Sequence, residues 1–105
     1  MHKEYKLDFE YFCKQYLDLI GFELGKKIRK YFENLGVDFQ KLEENRTIIC
    51  YIPDNIKCID KNFIDGFIGD RIKKNGINIF LKYNVFCNNS YISRTIYESI
   101  KELLN

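Results

Sequence analysis

Cys13, Cys50, Cys58 and Cys87, together with His2, are the side chains here that could hold zinc or pair a nucleophile with a base. Their spacing argues against both. No two cysteines form a C-x-x-C pair, and one histidine at the second position does not complete a zinc ligand set. A catalytic thiol needs a base within hydrogen-bond reach, and no such pair can be drawn from these residues. The expectation is four reduced cysteines buried as small apolar side chains, with a disulfide as the lesser alternative. No metal, cofactor or catalytic residue is expected, so the chain reads as a non-enzyme.

The other reactive patterns dissolve in the same way. Asp60, Asp65 and Asp70 recur every fifth residue, so a helix spreads them around its circumference instead of converging them on a metal or a proton. Gly21 and Gly25 lack the G-K-[ST] ending of a phosphate loop. Lys26, Lys27, Arg29 and Lys30 form the densest basic run, but Glu23 and Glu33 dilute it, and a solvated helix face accounts for it. The net charge is only +2, too slight for a nucleic-acid footprint. Gly66 and Gly69 each weaken a helix by up to ~1 kcal/mol relative to Ala. They make sense where a strand or a partner comes close.

These residues need a scaffold, and 105 residues make one domain, 1–105, with a modest core. Apolar residues at 46% and charged residues at 30% indicate a globular chain. Heavy use of Ile, Asn and Lys without any Ala or Trp suggests an AT-rich coding genome, bacterial or phage. No signal peptide and no apolar run near 18 residues is present, so a cytoplasmic protein without a membrane span is expected. Eight tyrosines and nine phenylalanines are more than so small a core hides easily. Tyr5, Tyr11, Tyr51, Tyr83, Phe86 and Tyr91 are candidates for exposure at a protein interface, a homodimer included.

Periodicity supplies the elements. Residues 3–20 read two ways: Tyr5, Leu7 and Phe9 alternate as in a strand, whereas Phe9, Phe12, Cys13, Tyr16, Leu17 and Ile20 recur at helical spacing. Leu24, Ile28, Tyr31, Phe32 and Leu35 form one face of a helix over 21–35. Residues 37–46 read as a polar loop. Thr47–Ile52 is a buried strand, and Pro53-Asp54-Asn55 breaks it. A helix from Asp60 or Asn62 to Lys74 carries Phe63, Ile64, Phe67, Ile68 and Ile72 inward and stops at Gly76. A second strand is expected at Ile77–Tyr83, and a last helix follows the Asn88-Asn89-Ser90 turn. Strand, helix, strand over 47–83 is a βαβ unit with parallel strands.

The pieces Gly21-Phe22-Glu23-Leu24-Gly25-Lys26-Lys27-Ile28-Arg29 and Asp60-Lys61-Asn62-Phe63-Ile64-Asp65-Gly66-Phe67-Ile68-Gly69, joined by an apolar strand, resemble the bacterial STAS-like domains. The resemblance spans roughly residues 5–100. It implies an α/β fold: a small mixed sheet of about four strands flanked by three to four helices, with residues 4–10 as a strand and 10–20 undecided. STAS domains are protein-binding modules, and their anti-anti-sigma members bind a histidine-kinase-like ATPase. Their switch is a serine at the start of the helix after the strand, beside an aspartate. In this chain Asn62 aligns with that serine, or Lys61 if the register slips by one, and a serine kinase can modify neither. Asp60 matches the aspartate. The resemblance therefore implies binding without the phosphorylation switch.

The partner surface expected from this reading is the loop from Asp54 to Asn62 with the first turns of the next helix. Asp60 and Asn62 cap the helix, Phe63 anchors it, and Asp54, Lys57, Lys61 and Asp65 present charge. The partner is another protein, either the kinase-like ATPase or a host defence effector. In the second case the chain is a phage or mobile-element inhibitor of anti-CRISPR type on a STAS-like scaffold.

Overall fold

The structure, a computed structural model, describes residues 3–76, 78 and 82–104. It is an α/β domain. Three strands, β1 (Lys3–Asp8), β3 (Arg46–Tyr51) and β5 (Tyr83–Phe86), form a sheet in the order β1-β3-β5. Both pairings are parallel, with Leu7 opposite Cys50 and Cys50 opposite Val85. The expected parallel βαβ unit is thus present. Its second strand begins at Tyr83; Asn78 is helical, and most of the expected strand 77–83 lies outside the described residues.

The two connections between the strands are built alike. After β1 come α1 (Glu10–Gln15), a two-residue strand β2 (Asp18–Leu19) and α2 (Phe22–Asn34). After β3 come a two-residue strand β4 (Cys58–Ile59) and a helix. That helix is α-helical at α4 (Lys61–Ile64), π-helical at Asp65–Gly69 and α-helical again at α5 (Asp70–Asn75). β2 and β4 pair in parallel, Leu19 with Ile59, so the two connections are stitched together just before their helices begin. The undecided stretch 10–20 is therefore one short helix followed by extended chain. Its helical spacing stops short because Leu19 is drawn into the pair with Ile59 and is fully buried there.

Stitching the helix starts brings α2 against the π-helical turn. Gly25 and Gly66 sit where the two backbones touch. A Cβ on Gly25 would meet the Phe63 carbonyl oxygen, and one on Gly66 the Phe22 carbonyl oxygen. The close neighbour that explains Gly66 is thus a helix, neither a strand nor a partner. Gly69 faces only the Asp65 side chain of its own turn. At Gly21 the chain takes φ +101, which glycine adopts without strain before α2 starts.

Residues 39–45, expected as loop, form a helix, α3 (Phe39–Asn45). The Asp38 carboxylate accepts from the Lys41 N–H at 3.1 Å as a cap. Phe39 and Glu43 are buried one turn apart, with Leu42 half-buried between them. The inward position taken by a glutamate breaks the apolar stripe that would otherwise mark a helix. The last helix, α6 (Ser90–Leu104), begins as expected: the Asn89 side-chain oxygen accepts from the N–H groups of Tyr91 and Ile92.

The core lies between the sheet and these helices. Leu7, Ile48, Cys50 and Tyr83 point into it from the strands, Phe9 and Ile52 from the residues just after β1 and β3, and Ile28, Phe32, Phe63, Phe67, Ile72 and Ile96 from the helices. No described helix is long and apolar enough to cross a membrane.

Candidate functional site

Strand alternation decides what the other face of the sheet shows. With Leu7, Ile48, Cys50 and Tyr83 inward, period two turns Glu4, Lys6, Asp8, Thr47, Ile49, Tyr51, Asn84 and Phe86 the opposite way. Glu4, Lys6, Asp8, Tyr51, Asn84 and Phe86 are exposed, and Thr47 and Ile49 are half-buried. Parallel sheets are ordinarily covered by helices on both faces. Here the second face is open among the described residues. At its carboxyl end Tyr51 (41% exposed) lies directly opposite Phe86 (52%) in the β3–β5 register. The Lys6 ammonium sits 5.3 Å from the centre of the Tyr51 ring.

This face runs into a groove of about 510 Å³ lined by Lys6, Asp8, Lys14, Leu17, Tyr51 and Asn55, among others. Leu17 is 55% exposed. The far wall is fixed by the loop after β3: the Asn55 amide donates to the Cys13 carbonyl at 2.6 Å, and the Asn88 amide donates to the Asp54 carboxylate at 3.0 Å. Open α/β sheets hold small ligands in the crevice where strand order reverses. Among the described residues the order β1-β3-β5 runs one way and makes no such crevice. A wide shallow surface with apolar side chains and a charged rim suits a macromolecule better than a cofactor.

The residues expected at the partner surface divide. Asp60 is the cap of α4, and one of its carboxylate oxygens accepts from the Phe63 N–H at 2.8 Å and the Gly21 N–H at 3.1 Å. It therefore ties the start of α2 to the start of α4. Asn62 is exposed and is not the cap; Asp60 already occupies the helix end. Phe63 is 2% exposed, so it anchors the helix from within the core and offers a partner nothing. Lys61 pairs with Glu102 at 2.9 Å, and Asp65 with Lys73 at 3.2 Å, so both charges are answered inside the chain. The Lys57 side chain is exposed, while its N–H donates to the Leu17 carbonyl at 2.9 Å. Asp54 and Lys57 thus lie in the loop beside the groove, and the helix start is a structural joint.

Of the aromatics expected at the surface, Tyr11, Tyr51, Phe86 and Tyr91 are exposed and Tyr5 is half-buried. Tyr83 is not exposed: it is 6% accessible, because its hydroxyl reaches a buried acceptor. That acceptor is Glu43. Tyr83 Oη donates to Glu43 Oε2 at 2.6 Å, and Arg71 Nε donates to Glu43 Oε1 at 2.7 Å. Burial first, and then the hydrogen bond to Glu43, push the Tyr83 phenol far above its ordinary range, so it stays a donor. The hydrogen bond to Glu43 raises Arg71. This triad is the part of the polar interior that sequence reading missed. Its available signal was Asp38 as a cap, with Phe39, Leu42 and Glu43 at helical spacing.

All four cysteines are free thiols; Cys13 and Cys50 are buried, Cys58 and Cys87 half-buried. Burial pushes the Cys50 thiol up to about 12. Burial, with Asp8 and Glu10 nearby, pushes Cys13 to about 11. A thiol-selective reagent at pH 8 should modify Cys58 and Cys87 quickly, and Cys13 and Cys50 only after unfolding, as peptide mass mapping would report. The same shifts favour the protonated thiols in the folded chain. Once pH exceeds the unfolded thiol value near 9, the unfolded chain loses these protons first. The contribution of these two thiols to stability should therefore be constant below pH 9 and fall as pH rises towards 12; a urea midpoint constant between pH 9 and 12 would contradict their burial.

Among the described residues, no three metal-ligating side chains gather as a group that could hold an ion. Compared with known proteins, the chain matches no family model, no curated protein and no solved structure.

Proposed function

We propose that this chain is a non-enzymatic, protein-binding regulatory module of STAS-like kind. Its docking surface is the open face of the sheet and the adjoining groove. One observation carries the reading: among the described residues a parallel sheet leaves a face uncovered, and that face ends in the adjacent exposed rings of Tyr51 and Phe86, with Leu17 across the groove. Exposed aromatic and aliphatic side chains beside a mixed-charge rim of Lys6, Asp8, Glu10 and Lys14 are the usual make-up of a protein interface. The loop residues Asp54 and Lys57 extend this surface. The helix start contributes the rigidity of Asp60 and no direct contact.

The test compares two double variants in pull-downs from the native cell. Tyr51→Ser with Phe86→Ser changes exposed groups, so the fold should persist by circular dichroism while the specific partner is lost. Lys61→Ala with Asn62→Ala should retain the partner. The reverse outcome would return the docking surface to the helix start, and retention by both variants would remove it from both places.

A further inference from the structure

The core holds a cavity of about 40 Å³ between the sheet, the helix of the second connection and α6. Cys50 and Val85, opposite each other in the β3–β5 register, line it from the sheet together with Tyr83. Phe63 and Phe67 close it from α4 and the π-helical turn. Accessibility traces it through the core. Ile52, Ile59, Ile64, Ile68, Ile96 and Ile100 line the cavity, and each keeps 2–7% of its surface accessible. Ile28, Ile48, Ile72 and Ile92, packed elsewhere in the core, keep none.

Polarity and size select the occupant. The cavity surface is apolar throughout. The Tyr83 hydroxyl is already committed to Glu43 at 2.6 Å, so its ring is what faces the cavity. Burial keeps the Cys50 thiol protonated, with its pKa pushed up to about 12. A water needs about 2–4 polar partners and finds at most one weak thiol here, so the lining excludes it. At about 40 Å³ the space exceeds the ~10–15 Å³ that one water requires and falls well short of the ~150 Å³ that seats benzene. A gas-sized apolar molecule fits both limits. Tyr83, Val85 and Ile96 also line a surface groove of about 180 Å³ between β5 and α6. One layer of side chains therefore separates the cavity from the surface there, and side-chain motion is enough to admit a small molecule.

We propose that this cavity is a binding site for one gas-sized apolar molecule, held by dispersion contacts with its lining. None of the lining residues borders the open-face groove, so the site stands or falls separately from the docking surface.

The probe is xenon, dissolved under rising pressure and followed in the methyl spectrum of isoleucine-labelled protein. The expected result is saturable shifts at the six lining isoleucines, several times larger than those at Ile28, Ile48, Ile72 and Ile92. The lining methyls should show no magnetisation transfer from water. Cys50→Val adds a methyl group on the inward face of β3, where the cavity is the space open to it, and suits a strand. The variant should melt no lower than the parent and bind xenon about tenfold more weakly. Shifts that stay linear in pressure, equal shifts at the four control isoleucines, or transfer from water to the lining methyls would overturn the proposal. So would unchanged xenon affinity in the folded Cys50→Val variant.

Discussion

Glu43→Ala is expected to cost about 3–5 kcal/mol, a large part of the 5–15 kcal/mol that holds a domain of this size together. The glutamate side chain is 2% exposed and answers two groups at once: the Arg71 guanidinium, itself 18% exposed, and the Tyr83 hydroxyl. Removing it leaves a cation and a donor without an acceptor in a poorly solvated place. Those two uncompensated groups produce the loss, beyond the missing attraction itself. The triple variant Glu43→Leu, Arg71→Met, Tyr83→Phe removes every polar member together and should recover most of the stability. Urea denaturation of both proteins checks this. If the single substitution costs less than 1 kcal/mol, the triad is not the clasp described here. The clasp matters for function because it fixes the first residue of β5, and β5 carries Phe86 on the open face and Val85 on the wall of the core cavity.

The second large effect falls on the contact between α2 and the π-helical turn. Gly25→Ala and Gly66→Ala should each destabilise by at least ~2 kcal/mol, because the new methyl meets backbone, which cannot rotate aside. Gly69→Ala is the control. Its methyl meets only the Asp65 carboxylate, a side chain that can swing away at the cost of an exposed ion pair with Lys73 worth 0–1 kcal/mol. Alanine also favours a helix by up to ~1 kcal/mol over glycine, so Gly69→Ala should be near neutral. Thermal melts of the three variants decide the matter. Equal effects at all three positions would mean that helix propensity, and not close packing, explains the glycines. The π-helical turn belongs to the same joint: the Arg29 guanidinium reaches it, donating to the Phe67 carbonyl at 3.3 Å.

Sequence alone determined the parts in which one side chain's environment follows from its neighbours along the chain. The apolar stripe of α2 as far as Phe32, that of α6, the inward Phe63, Ile64, Phe67, Ile68 and Ile72, the β-branched run of β3 and the parallel relation of the strands around 47–83 all follow from spacing and chain direction. So did Asp60 as a helix cap and Gly76 as a stop. Leu35, expected on the same face of α2, is instead 65% exposed just past the helix end. Only the tertiary structure decided the rest. Glu43 reads as a solvated loop residue until Arg71 and Tyr83, 28 and 40 positions away, supply its partners. The stretch that holds Leu19 reads as either strand or helix until Ile59 pairs with Leu19. Lys61 and Asp65 read as charges free for a partner until Glu102 and Lys73 meet them. Above all, alternation along a strand says that it has two faces, but not which of them the helices will leave bare. That depends on where every connection crosses the sheet, a property of the whole chain that no local window contains.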